Sequence, residues 1–89
     1  MLNYEIKPHL QKILKKLIKK DRTLYERVMG KIQEIISSNV EHYKNLRYNM
    51  RDQKRVHVGH FVLVFKFDKT ENLISFEDFD HHDNIYDKK

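Results

Sequence analysis

The chain has 89 residues, 39% apolar and 35% charged, with a net charge of +5 at pH 7. That is enough for one domain over residues 1–89 and leaves little room for a second. The absence of cysteine excludes disulfides, thiolate nucleophiles and sulfur-ligated metals. No apolar run approaches the roughly 20 residues needed to span a bilayer. Residues 1–7 lack the apolar core of an export signal, so we expect a cytoplasmic protein with no membrane partner.

Leu2 to Lys7 is a predicted edge strand ended by Pro8, whose missing N–H suits the first turn of a helix. Leu10, Ile13, Leu14, Leu17 and Ile18 then recur at helical spacing, with Lys12, Lys15, Lys16, Lys19 and Lys20 over the rest of the surface. A second helix starts near Asp21 or Thr23, where Thr23 and Glu26 have the spacing of a capping box. Leu24, Val28, Ile32, Ile35 and Ile36 form its buried stripe. Gly30 in its interior costs up to about 1 kcal/mol relative to alanine, and we read it as allowing the two helices a close approach. Almost nothing joins the helices, which predicts an antiparallel hairpin.

After Asn39 the apolar period changes to two. Leu46 to Tyr48 is a candidate short strand. Lys54 to Val58 alternates, with Val56 and Val58 on one face and Arg55 and His57 on the other. Gly59-His60 has the makings of a two-residue turn. Phe61 to Phe67 places Phe61, Leu63, Phe65 and Phe67 on one face and Val62 and Val64 on the other, as a central strand would. Asp68 to Asn72 is a turn, and Leu73 to Phe79 the last strand. The expected fold is α+β: an N-terminal strand and an antiparallel helical hairpin packed on one face of a curved, mostly antiparallel sheet of four or five strands. The opposite face would be open, and Arg55 and His57 would project onto it.

Charge is unevenly spread. Residues 1–20 and 44–66 each hold six basic and one acidic residue, whereas 67–89 hold three basic and seven acidic. Two basic blocks in a small domain suit a polyanion, because neutralised phosphates release counterions; solvated lysine faces have the same composition. The tail Asp80-His81-His82-Asp83-Asn84-Ile85-Tyr86 admits three readings. A metal site of His81, His82 and Asp83 with His57 or His60 lacks zinc-like spacing, and we expect none. Alternatively the histidines are solvated while Tyr86 packs on the core. The third reading is metal-independent RNA cleavage, which needs a base for the 2′-hydroxyl, an acid for the 5′-oxygen and cations for the phosphorane. Arg55, His57, His81, His82 and Tyr86 supply those chemistries.

Arg55-Val56-His57-Val58-Gly59-His60-Phe61-Val62-Leu63-Val64-Phe65, then a strand, then His81-His82-Asp83-Asn84-Ile85-Tyr86, resembles the RelE/ParE toxin superfamily. There a segment of the type R-I-R-V-G-D-Y-R-V-I-Y precedes a strand and a terminal G-H-R-R-E-V-Y. Leu46, the N-terminal strand and the helical hairpin fit as well, so the resemblance covers nearly the whole chain. It implies a toxin held inactive by a cognate RelB-like antitoxin in a hetero-oligomer. It further implies an endoribonuclease that cuts messenger RNA in the ribosome, needs no cofactor and thereby inhibits translation.

On the same resemblance, Arg55 and His82 would stabilise the phosphate. His57 or His81 would transfer protons, and Tyr86 would stack on or orient a base. Arg47, Arg51 and Lys54 would steer the RNA backbone, and Lys12 to Lys20 or the open sheet face would receive the antitoxin. The chain departs from the pattern at Val62, where the family has arginine, and in the acidic Asp80 and Asp83; both changes weaken phosphate binding. Two rivals follow: a ParE-like gyrase inhibitor, which would not need the histidines or Tyr86, and a degenerate toxin serving as a binding module or co-repressor with its antitoxin.

Overall fold

Pro8 and Asp21 set the starts of the two long helices. A computed structural model of the chain describes residues 3–37, 53–68 and 71–87. Its elements are β1 (Asn3–Ile6), α1 (Pro8–Lys20), α2 (Arg22–Ser37), β2 (Gln53–Val58), β3 (Phe61–Asp68), β4 (Leu73–His81) and α3 (His82–Asp87). Lys7 is extended, as a residue before proline must be, and Pro8 opens α1. Asp21 serves both helices. Its N–H donates to the Leu17 carbonyl at 2.8 Å, and its Oδ1 accepts the Leu24 N–H at 3.1 Å. The capping box expected at Thr23 and Glu26 is therefore not the start of α2. Both residues lie inside the helix, and Glu26 accepts from Arg22 Nε at 3.3 Å instead.

The sheet has the order β1-β4-β3-β2, with β1 parallel to β4 and the other pairs antiparallel. This is the expected α+β architecture. The candidate strand at 46–48 lies outside the described residues, as do Arg47 and Arg51. Leu10 and Leu14 of α1, with Val28, Ile32, Ile35 and Ile36 of α2, pack on Val58, Leu63, Phe65, Ile74, Phe76 and Phe79. Phe65 and Phe76 are fully buried, their ring centroids 5.8 Å apart, and burying a side chain of that size contributes about 1.5–3 kcal/mol. Phe76 and Phe79, three apart, reach the same core because the strand pairing slips. Val64 pairs with Asp78 and Phe65 with Phe76, which leaves Glu77 as the extra residue of a β-bulge.

Three expectations are corrected. The buried stripe of α1 is narrower than its periodicity implied: Leu10 and Leu14 are buried, Ile13 and Leu17 half-buried, and Ile18 is 37% exposed. A Cβ at Gly30 would meet nothing within 4 Å, so that glycine faces open space and mediates no helix contact. The second sheet face is not bare. β4 runs on to His81, the tail folds back as α3, and Ile85 closes with Val62 and Val64 into a second, smaller core. Among the described residues no helix is long and apolar enough to cross a membrane.

Candidate active site

Alternation along β2 separates its side chains. Val58 is buried beneath the helical hairpin and Val56 packs against the same core, so Arg55 and His57 belong to the opposite face. In register, Arg55 sits beside Val64 and His57 beside Val62. Arg55 and His57 thus flank the small core that α3 seals. Gly59 (φ 63) turns the chain into β3 through the left-handed region, which glycine enters without strain. The His60 carbonyl then accepts the His82 N–H at 2.9 Å, tying the β2–β3 turn to the start of α3.

Four histidines meet at this end of the sheet in two pairs. His57 stacks on His82 with ring centroids 5.6 Å apart, and His60 lies nearly parallel to His81 at 6.4 Å. The His81 ring also stands edge-on to Phe61, at 5.7 Å. Asp80 braces the junction: its Oδ1 accepts the His81 N–H at 2.7 Å and Asn84 Nδ2 at 3.1 Å. His81 Nδ1 accepts the Asp83 N–H at 3.3 Å, and Asp83 Oδ1 lies 3.4 Å from His82 Nδ1. The two tail carboxylates that depart from the family pattern are thus engaged in building the turn and facing the imidazoles.

Electrostatics set His57 apart. Partial desolvation lowers its pKa from the ordinary histidine value, and the neighbouring charges of Arg55 and His82 act in the same direction. At neutral pH its imidazole is uncharged and able to accept a proton.

Arg55, His57 and His82 are brought together, whereas His81 goes to the His60 side of the turn. The backbone of Tyr86 is in α3, and its side chain lies outside the described residues. Lys54 alternates with Arg55 and pairs with Phe65, so it falls on the helix-facing side of β2, away from Arg55 and His57. Among the described residues no group of three or more His, Cys, Asp or Glu is arranged to hold a metal ion. Sequence reasoning missed Arg27. It stands on α2, where no pattern marks it, yet its guanidinium reaches the Gly59 turn, with Nη1 3.4 Å from the point a Cβ there would occupy.

The element order and mixed sheet define a small α+β fold shared with solved toxin structures. The toxin–antitoxin complex RelBE2 of Mycobacterium tuberculosis superposes with a TM-score of 0.75 at 15% identity, covering 91% of each chain. The isolated RelE toxin of E. coli gives 0.73 at 19% identity, over 91% of this chain and 84% of that one. No family model matches the chain. In sequence it is 50% identical over 90 residues to a protein of Methanocaldococcus jannaschii named "Putative toxin RelE4", covering 100% of this chain and 95% of the relative. The chain belongs to the RelE toxin family.

Proposed function

We propose that the protein is the toxin of a toxin–antitoxin pair and a metal-independent endoribonuclease that cuts messenger RNA on the ribosome. The observation that carries this reading is the stacking of His57 on His82 beside Arg55, which sets a proton acceptor, a proton donor and a fixed cation on one face. His57, held neutral, takes the proton of the 2′-hydroxyl as that oxygen attacks phosphorus. The bond to the 5′-oxygen breaks, and His82 in its protonated form supplies the proton that this oxygen needs. Arg55 neutralises the charge gathering on the phosphorane. Products are a 2′,3′-cyclic phosphate and a 5′-hydroxyl. Tyr86 stacks on or orients a base, and Arg47 and Arg51 guide the strand, whereas Lys54, on the helix-facing side of β2, takes no part. His81, turned toward His60, contributes less than His82.

A RelB-like antitoxin is the proposed partner, on the precedent of the mycobacterial complex. Support comes from an apolar groove between β1 and the helical hairpin, lined by Ile6, Leu14, Ile18, Tyr25 and Met29 with Lys15 at its rim. Tyr4, 47% exposed, stands on β1 at the same side of the fold.

The test is messenger RNA cleavage on programmed ribosomes by the wild type, Arg55→Ala, His57→Ala and Tyr86→Ala. Codon-positioned cuts that fall about 100-fold or more without His57 support the reading. A specific observation favours a second reading, the degenerate toxin: Val62, at the family's arginine position, is fully buried beneath Ile85. Well-folded wild-type protein that leaves ribosome-bound message intact would select it.

A further inference from the structure

Three cations line the exposed side of α2, and two of them are engaged. Arg22 donates to Glu26 at 3.3 Å, and Lys31 donates to Glu34 at 3.2 Å. Arg27 forms no ion pair or hydrogen bond among the described residues. Its guanidinium is nevertheless not adrift. Nη1, Nη2 and Cζ come within 3.4, 3.7 and 3.9 Å of the Cβ position at Gly59, so the plane lies against the turn that ends the Arg55–His57 strand. The positive φ of 63 is what calls for glycine there, and a Cβ at that position would meet the guanidinium only at ordinary contact distance.

We propose that Arg27 is an RNA-binding residue that holds a backbone phosphate flanking the scissile one, an inference that rests on the ribonuclease reading above. An exposed guanidinium with no carboxylate partner among the described residues, lying against the Gly59 turn, presents a planar fork that matches two phosphate oxygens. Part of the entropy of ordering the side chain has been lost before RNA arrives. The position is right for a second contact. Arg55 and His57 flank α3 on the second sheet face, His60 occupies the turn, and Arg27 reaches the same turn from the helical side. A strand passing over the turn is therefore met from both sides. Asp80 and Asp83, the acids at this end, are bound up with His81, His82 and Asn84. Where the family pattern carries arginine on β3, this chain has a buried valine, and Arg27 returns a cation to the site from another element.

The experiment uses a fluorescent single-stranded RNA, 2′-O-methylated throughout so that it cannot be cut, titrated by anisotropy with full-length toxin over a range of KCl concentrations. Arg27→Gln is expected to bind several-fold more weakly, and its plot of log K against log salt should be shallower by about 0.7, one phosphate contact on a single strand. Arg27→Lys should recover the slope but not the full affinity. Circular dichroism melts confirm that the variants are folded. An unchanged slope and affinity in Arg27→Gln would overturn the proposal and assign the guanidinium to the turn or to a carboxylate on a protein partner. Wild-type binding that ignores salt would overturn it as well. On programmed ribosomes, Arg27→Gln should raise the toxin concentration for half-maximal cleavage and leave the rate at saturation unchanged. Should the slope fall as expected while the wild type cuts nothing, the RNA contact stands and the ribonuclease reading fails.

Discussion

The two faces of the sheet bury apolar surface to very different depths. Under the helical hairpin, side chains from two helices and three strands interlock around Phe65 and Phe76. Across the sheet, Val62, Val64 and Ile85 make a core of three, with α3 as its only cover among the described residues. The first face therefore carries the stability of the fold. The second is held just firmly enough to place His82 against His57, and its weakness is local. A helix of six residues does not persist in water by itself, so the position of the His57–His82 pair depends on the burial of Ile85, the His82–His60 backbone bond and the Asn84–Asp80 contact.

This contrast can be broken or sharpened by substitution. Phe65→Ala should cost about 3–5 kcal/mol in urea denaturation, because the cavity opens at the centre of the larger core. Ile85→Ala should cost about 2 kcal/mol, at the low end for such a truncation, because α3 can come away without the sheet. Hydrogen exchange should then show α3 unprotected and β3–β4 intact, with cleavage lost out of proportion to stability. Equal costs for the two variants, or loss of protection throughout Ile85→Ala, would mean that the faces form one cooperative core. Asp21→Ala removes a cap at the hairpin and should cost about 1 kcal/mol. Gly30→Ala, with open space around the new methyl group, should gain up to about 1 kcal/mol.

The smallest expected effect is on pH dependence. Folding favours the neutral form of His57, so the folded chain binds that proton less tightly than the unfolded chain does. The resulting stability is present above the ordinary histidine value of 6.5 and is lost as pH falls through the lowered value in the fold. NMR titration of the ring should place its midpoint below 6.5, and His57→Gln should flatten the acid side of the stability curve. A midpoint at or above 6.5 would remove the case for His57 as the base.

The helical hairpin was legible because Leu10, Leu14, Val28, Ile32, Ile35 and Ile36 repeat at helical spacing and all end up buried. The pairing of Arg55 with His57 on one face followed equally from alternation, since Val58 could only point inward. Other features needed the tertiary fold. Period-two reasoning cannot place a bulge, so the shared burial of Phe76 and Phe79 was hidden. Val62 and Val64 demanded a cover, but a six-residue helix seen only as a polar tail gave no periodicity to supply one. The sorting of four histidines into two pairs depends on the sheet register, and the reach of Arg27 on α2 passing over a turn more than thirty residues away in sequence. In sequence that arginine lies between the two basic blocks, in residues 21–43, which hold three basic and four acidic residues.

The bulge at Glu77 also governs which changes of chain length the protein can tolerate. Removing that one half-buried residue would leave simple alternation through β4, with Ile74, Phe76 and Phe79 all still facing the larger core and Val64 and Phe65 still opposite Asp78 and Phe76. Removing any other residue from the middle of the strand would turn every side chain on one flank to the opposite face. Loss of one residue within this strand therefore spares the packing only at the bulge, and what it takes away there is the local twist.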